Sequence, residues 1–143
     1  MTVTFCGHSE VQNEIEVRNW LKSTIQSTVN NEASLFLLGG YGAFDRLAAS
    51  VVREFKTKHP HIESVLVLAY LDRKVDATGY DGTTYPPLES VPKRFAISHR
   101  NRWMVDQADV VIAYVTHDWG GAASTLKYAI KQKKQIIKYG GNT

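Results

Sequence analysis

The chain carries a single cysteine, Cys6, in 143 residues. That excludes an internal disulfide and a cysteine-built zinc cage. No apolar run approaches the ~18 residues that cross a bilayer, and no basic leader precedes a long apolar stretch. A membrane protein and a secreted one are both unexpected, and the reducing cytoplasm is the expected compartment. Charge of one sign is scarce as well: 17 Lys+Arg against 14 Asp+Glu leave a net +3. Lys131, Lys133 and Lys134 form the one dense basic cluster; the balance alone suits an anionic small ligand as well as a polynucleotide, but a small charge borne by scattered lysines argues against nucleic acid, which is an unlikely partner. His8, His117 and Asp118 fit no metal-ligand spacing, and neither a metal nor a cofactor is expected. The length suits one domain over 1–143, and no repeat or low-complexity tract interrupts it.

What is present alternates. Residues 2–6 are β-branched and aromatic and stop at Gly7, predicting a strand. Ile15, Trp20, Leu21, Thr24, Ile25 and Thr28 recur at three- and four-residue spacing and predict a helix over about 12–29, ending at Asn30-Asn31. Apolar runs at 34–38, 64–71, 109–116 and 135–139 predict four more strands, and 43–58, 93–107 and 122–133 predict helices. Residues 72–92 lose all periodicity among Gly79, Gly82, Pro86, Pro87 and Pro92; a stretch of that length is expected to be functional or disordered. Continuously apolar strands separated by helices imply parallel βαβ units. The expected fold class is α/β, a Rossmann-like three-layer α/β/α sandwich with a mostly parallel sheet of about five strands.

In such sheets the ligand lies beyond the carboxyl ends of the strands, where the strand order reverses. Four turns converge there: Gly7-His8-Ser9, Gly39-Gly40-Tyr41-Gly42, the segment after Leu71, and Thr116-His117-Asp118-Trp119-Gly120-Gly121. Glycine lets the backbone approach a phosphate, and the helix that follows presents free N–H groups and a positive dipole end. Glycine is also simply common in strand-to-helix turns. Neither turn is a Walker loop, since no Gly-Lys-Ser/Thr follows. Arg100, Asn101 and Arg102 lie in the helix before the fourth strand, with Ser98, Asn101 and Arg102 on one face and Arg94 a turn earlier. A guanidinium there suits phosphate and an amide suits a sugar or base edge, although a solvated helix face has the same composition. Tyr41 and Trp119 are candidate stacking rings. Asp45 either complements a helix dipole or binds a ribose hydroxyl. Cys6 reads as a small buried apolar residue.

In their order, Gly39-Gly40-Tyr41-Gly42-Ala43-Phe44-Asp45, Arg100-Asn101-Arg102-Trp103-Met104, Ala108-Asp109-Val110-Val111-Ile112-Ala113 and Trp119-Gly120-Gly121-Ala122-Ala123-Ser124-Thr125 resemble the SLOG superfamily across nearly the whole chain. That superfamily unites the DNA-processing protein of natural transformation with the LOG ("lonely guy") phosphoribohydrolases. The likeness is greatest to small stand-alone SLOG proteins of Firmicutes and their phages. LOG enzymes carry Pro-Gly-Gly-x-Gly-Thr-x-x-Glu after the fourth strand and an Arg-Lys pair on the preceding helix. Here Gly120-Gly121 and the hydroxyls of Ser124 or Thr125 match, while Lys127 or Tyr128 stands where the glutamate would fall, and the lysine of the pair is missing. Without that carboxylate the usual stabiliser of oxocarbenium-like charge is lost.

The resemblance implies a nucleotide or ADP-ribose-like ligand and, as relatives commonly dimerise, a homo-oligomer in which Trp20 or Trp103 lies at an interface. Gly7, His8, Gly39, Gly40, Tyr41, Gly42, Asp45, Arg100, Asn101, Arg102, His117, Trp119, Gly120, Gly121, Ser124 and Thr125 are the expected ligand-binding residues, in one cleft, with 72–92 as a lid contributing Tyr80 or Tyr85. Two alternatives stand beside this: cleavage of an N-glycosidic bond with Asp45 or Asp118 replacing the glutamate, and single-stranded DNA binding.

Overall fold

Every strand of the predicted kind has two faces to cover, and the computed structural model, which describes residues 1–141, covers both. The elements run β1 (Thr2–Gly7), α1 (Glu14–Asn30), β2 (Leu35–Leu38), α2 (Ala43–Lys58), β3 (Glu63–Val67), β4 (Gly82–Thr84), a 3-10 turn (Lys93–Phe95), α3 (Ala96–Gln107), β5 (Val110–Tyr114), α4 (Gly121–Lys131) and β6 (Gln135–Lys138). Val3 and Phe5 of β1, with Val110 and Ile112 of β5, pack into a cluster with Val17, Leu21 and Ile25 of α1 and Phe44, Ala48 and Val51 of α2. The intervening Cys6, Val111 and Ala113 pack on the opposite face with Val105 of α3 and Ala123, Leu126 and Ala129 of α4. Period-two alternation with both faces apolar is why these strands read as unbroken runs.

All pairings are parallel, in the order β4-β3-β2-β1-β5-β6. The chain builds outward from β1 through β2 and β3 to β4, crosses back over α3, and continues from β5 to β6. With right-handed crossovers, that reversal puts α1 and α2 on one face and α3 and α4 on the other. The switch point therefore falls between β1 and β5.

The sheet has six strands rather than five. β4 lies within 72–92, where no periodicity was expected to hold structure, because three residues at a sheet edge are too few to show a period. Long-range contacts hold it: Asp81 Oδ2 accepts the Ser64 N–H at 2.8 Å, and Lys56 Nζ stands 2.9 Å from Asp81 Oδ1. β3 ends at Val67, four residues short of the predicted end, where the Val67 carbonyl is taken by a side chain of α3 rather than by a strand. Ile15, placed on the apolar stripe of α1 by its spacing, is 80% exposed; the buried stripe is Val17, Leu21, Thr24, Ile25 and Thr28. Trp20 meets Tyr139 edge-on at 5.2 Å, and Trp103 packs beside Met104, so both rings have neighbours within the chain. Among the described residues no helix is long and apolar enough to cross a membrane.

Candidate functional site

At the switch point a cleft of about 730 Å³ opens among the residues following β1, the β2–α2 connection, α3 and the β5–α4 turn. This is where strand-order reversal separates two crossovers and leaves strand ends uncovered. Gly7 and His8, Tyr41 and Asp45, Arg100 and Asn101, and His117, Trp119, Gly120, Gly121 and Thr125 all line it. A second cavity of about 680 Å³ lies on the β2–β3 side, bounded by residues 70–80, and receives Gly39 and Gly40. Tyr41, Ile97 and Arg100 line both. The residues expected to line one cleft thus border two adjoining spaces that share these three residues.

Arg100 sits between them. It is 5% exposed, and its Nη1 donates to the carbonyls of Gly39 and Val67, both at 3.0 Å, while Nε donates to Asn101 Oδ1 at 2.9 Å. Gly39 is required by this arrangement, since a Cβ there would lie 2.8 Å from Arg100 Cζ. Burial lowers the pKa of the guanidinium, and the nearby Asp45 opposes that. Asp45 is itself buried, and burial pushes its carboxyl up to about 6, with Arg100 and then the backbone N–H groups of Tyr41, Gly39 and Gly40 pulling the other way. A buried carboxyl thus stands close to the turn at which a ligand phosphate is expected. Gly42 is committed too: at φ 93° a Cβ would lie 2.8 Å from Ser9 Cα, and the following Ala43 N–H donates to the Ser9 carbonyl at 2.8 Å. Gly42 lines neither cavity.

The β5–α4 turn is different. Gly120, at φ 92°, caps α4 without a side chain to cover the first-turn N–H groups, and Ser124 N–H closes the first helical bond onto its carbonyl at 3.0 Å. The Thr125 hydroxyl donates to the Gly121 carbonyl at 2.9 Å, leaving its lone pairs to accept. Ser124 is exposed and lies outside both cavities, turned by about 100° around the helix from the buried Thr125. Arg102 also lies outside: its guanidinium stands 5.3 Å from the Tyr128 ring centroid, over α4. Two positions along a helix are turned by ~200°, so Arg100 and Arg102 cannot serve one site. Arg94, in the 3-10 turn, stacks over Phe95 instead.

Three rings form a stair at the mouth. His8 stacks on His117 at 3.8 Å and 12°, and His117 on Trp119 at 3.8 Å and 20°, leaving Trp119 69% exposed. His8 Nε2 accepts the Thr116 N–H at 2.9 Å, which places the proton of neutral His8 on Nδ1. Burial, and then His117, lower the His8 pKa. His117 Nδ1 is buried with no hydrogen-bond partner. Asp118 is exposed and lines neither cavity. Burial and Asp45 push the Cys6 thiol up to about 12, so it is no nucleophile. Among the described residues no group of three or more His, Cys, Asp or Glu is placed to hold a metal.

Sequence reasoning missed Met104 and Tyr114 in the first cleft and Arg46, Arg53, Arg73 and Lys74 in the second. For Arg46 and Arg53 a signal existed: seven residues apart, they share one face of α2.

The fold is shared with solved structures. DNA processing protein A from Helicobacter pylori, described for its single-stranded DNA binding mode, superposes with a TM-score of 0.68 at 16% identity over 96% of this chain and 64% of its own. The structural-genomics protein TM1055 gives 0.65 at 19% identity over 95% and 72%. DNA processing protein A from Streptococcus pneumoniae gives 0.67 at 18% identity over 96% and 49%. The chain therefore spans about half to two-thirds of the two DNA processing proteins. No family model matches the sequence, and no curated protein does. The architecture these structures share with the chain is a Rossmann-type parallel sheet flanked by helices.

Proposed function

We propose that the switch-point cleft binds a nucleotide or nucleotide-derived ligand, an ADP-ribose-like molecule or nucleoside phosphate, and that the protein acts as its sensor or sequesters it in the cytoplasm. The carrying observation is the joining, in one cleft of about 730 Å³, of the uncapped start of α4 at Gly120-Gly121 with the exposed ring of Trp119. Phosphate goes to the α4 amides and the Thr125 hydroxyl, the base stacks on Trp119, and Asn101 meets the sugar. His117 Nδ1, buried and unpaired, is a further polar partner. Calorimetric and thermal-shift titration with AMP, NAD, ADP-ribose and cyclic dinucleotides tests this. At least one is expected to bind and Trp119→Ala to weaken it about tenfold, the worth of one base stack. If no member of the panel shifts the melting curve, the reading fails.

Asp45 favours a second reading, cleavage of an N-glycosidic bond. A carboxyl on the cleft wall that burial raises to about 6 is nearer neutrality than an ordinary aspartate, so its minor protonated form can pass a proton to a leaving base. Release of free base from AMP, lost in Asp45→Asn, is the required result; Asp118 lines neither cavity. The likeness to a protein described for single-stranded DNA binding supports a third reading against the small net charge, and a strongly salt-dependent association with single-stranded DNA would establish it.

A further inference from the structure

The second cavity, about 680 Å³ against about 730 Å³, has nearly as much room as the first and a strongly cationic lining. Arg46 and Arg53 of α2 stand on one wall, Arg73 and Lys74 on the facing segment, and Arg100 at the boundary, against Asp76 as the one acidic side chain of the lining. The wall is built, not collapsed: Arg53 donates from Nε to the Gly79 carbonyl at 3.3 Å and from Nη2 to the Thr78 carbonyl at 3.4 Å, and the Tyr70 hydroxyl donates to the Lys93 carbonyl at 2.8 Å. Asp76 is occupied by the Thr78 N–H at 3.0 Å, and Asp72, outside the cavity, pairs with Lys93. Arg46 and Lys74 meet no carboxylate within ion-pair distance among the described residues. Uncompensated cations facing one concave space favour an anion there.

The aromatic content narrows the anion. Tyr70 and Tyr80 line this cavity, and Tyr41 lines both cavities while remaining 68% exposed. Cations interleaved with tyrosine rings suit a phosphate carrying a base rather than a bare inorganic ion. Each space is large enough for a nucleotide on its own, within the ~300–1,000 Å³ of small-molecule sites. Resting on the nucleotide reading of the first cleft, we infer that the cavity between α2 and residues 70–80 receives the second nucleotide of a two-nucleotide, phosphate-linked ligand. Arg46 and Lys74 contact its phosphate, Tyr41 and Tyr80 flank its base, and the linkage passes over Arg100. The shared chemistry belongs both to a free dinucleotide and to a single-strand end.

The experiment is calorimetric titration of the full chain with AMP, with the 5′-phosphorylated diadenylate pApA, and with an eight-residue deoxyadenylate strand. The diadenylate is expected to bind at least tenfold more tightly than AMP. The doubly substituted Arg46→Gln/Lys74→Gln protein, both positions being exposed, is expected to lose that gain while keeping its melting temperature and AMP affinity. Trp119→Ala weakens AMP and pApA alike. A strand that binds no better than AMP identifies the free dinucleotide as the source, and one that matches pApA identifies a strand end; both keep the inference. AMP binding with no gain from pApA, a gain seen only with the strand, or a gain that survives Arg46→Gln/Lys74→Gln overturns the inference and leaves the first cleft's reading standing. If none of the three binds, the inference falls, and the first cleft's reading is decided by NAD, ADP-ribose and the cyclic dinucleotides.

Discussion

Asp45 is ionisable, buried and uncommitted to any close ion pair, so its charge is a cost to the folded state. Its folded pKa of about 6 lies above the ordinary 3.8. Stability from this group is therefore complete below pH 3.8 and is lost as pH rises through 6, by about 3 kcal/mol in total. Asp45→Asn should accordingly be more stable than the parent at pH 7 by up to that amount, with almost no advantage at pH 3. Urea unfolding at both pH values checks this, and equal differences at the two would refute it. His8 works in the opposite direction, since its lowered pKa favours the folded state as pH rises, so the comparison must be made between the two proteins rather than along one curve. Arg100 carries the complementary expectation. Arg100→Met strips donors from the Gly39 and Val67 carbonyls and should cost about 2–4 kcal/mol. Adding Asp45→Asn should recover part of the loss, because the first change leaves a buried carboxylate without its cation. Strict additivity in that double-mutant cycle would show that the two side chains do not interact.

Among the elements, β4 depends most on one residue. The Asp81 carboxyl is raised by burial, but the Ser64 N–H and the Lys56 ammonium outweigh that and hold it below the usual carboxylate range. Its contribution is thus present above the ordinary aspartate pKa and lost as pH falls through the lowered folded value. Asp81→Ala should cost about 1 kcal/mol, partly exposed as the pair is. Its sharper signature is local: amide exchange at 82–84 should accelerate while that of β1 and β5, buried at the sheet centre, stays unchanged. Uniform acceleration across the sheet would show that β4 is not a separable unit. The element also explains why the second cavity exists. Its pairing with β3 anchors one end of the 70–81 segment, and Arg53 of α2 anchors that segment again at Thr78 and Gly79, which fixes one wall of the cavity.

For the whole molecule, a ligand at the switch point links binding to global unfolding. At a free concentration a hundred times its dissociation constant, the ligand should add about 2.7 kcal/mol to stability, and this gain should persist in Asp81→Ala, whose lesion lies at the sheet edge. The +3 net charge is a poor guide to such a ligand, because what matters is its distribution: five cationic side chains converge on one cavity and the helix start of α4 faces the other.

The alternation of strands and helices, the parallel sheet and the turns bearing the first cleft could be read from the amino-acid order. Run length, period and glycine placement are local properties, and α2 was legible to its last residue because Phe44, Leu47, Ala48, Val51 and Val52 repeat without interruption. The partnerships that define the sites could not be read that way. Arg100 meets a carbonyl 61 positions away, Asp81 secures a strand through residues 17 and 25 positions earlier, and the helix phase that turns Arg100 inward and Arg102 onto Tyr128 is set by which face of α3 meets the sheet. Such contacts depend on packing geometry between distant segments, which no local pattern encodes. The same geometry spread the residues expected in one cleft over two adjoining spaces and buried the Asp45 carboxyl close to the first glycine turn.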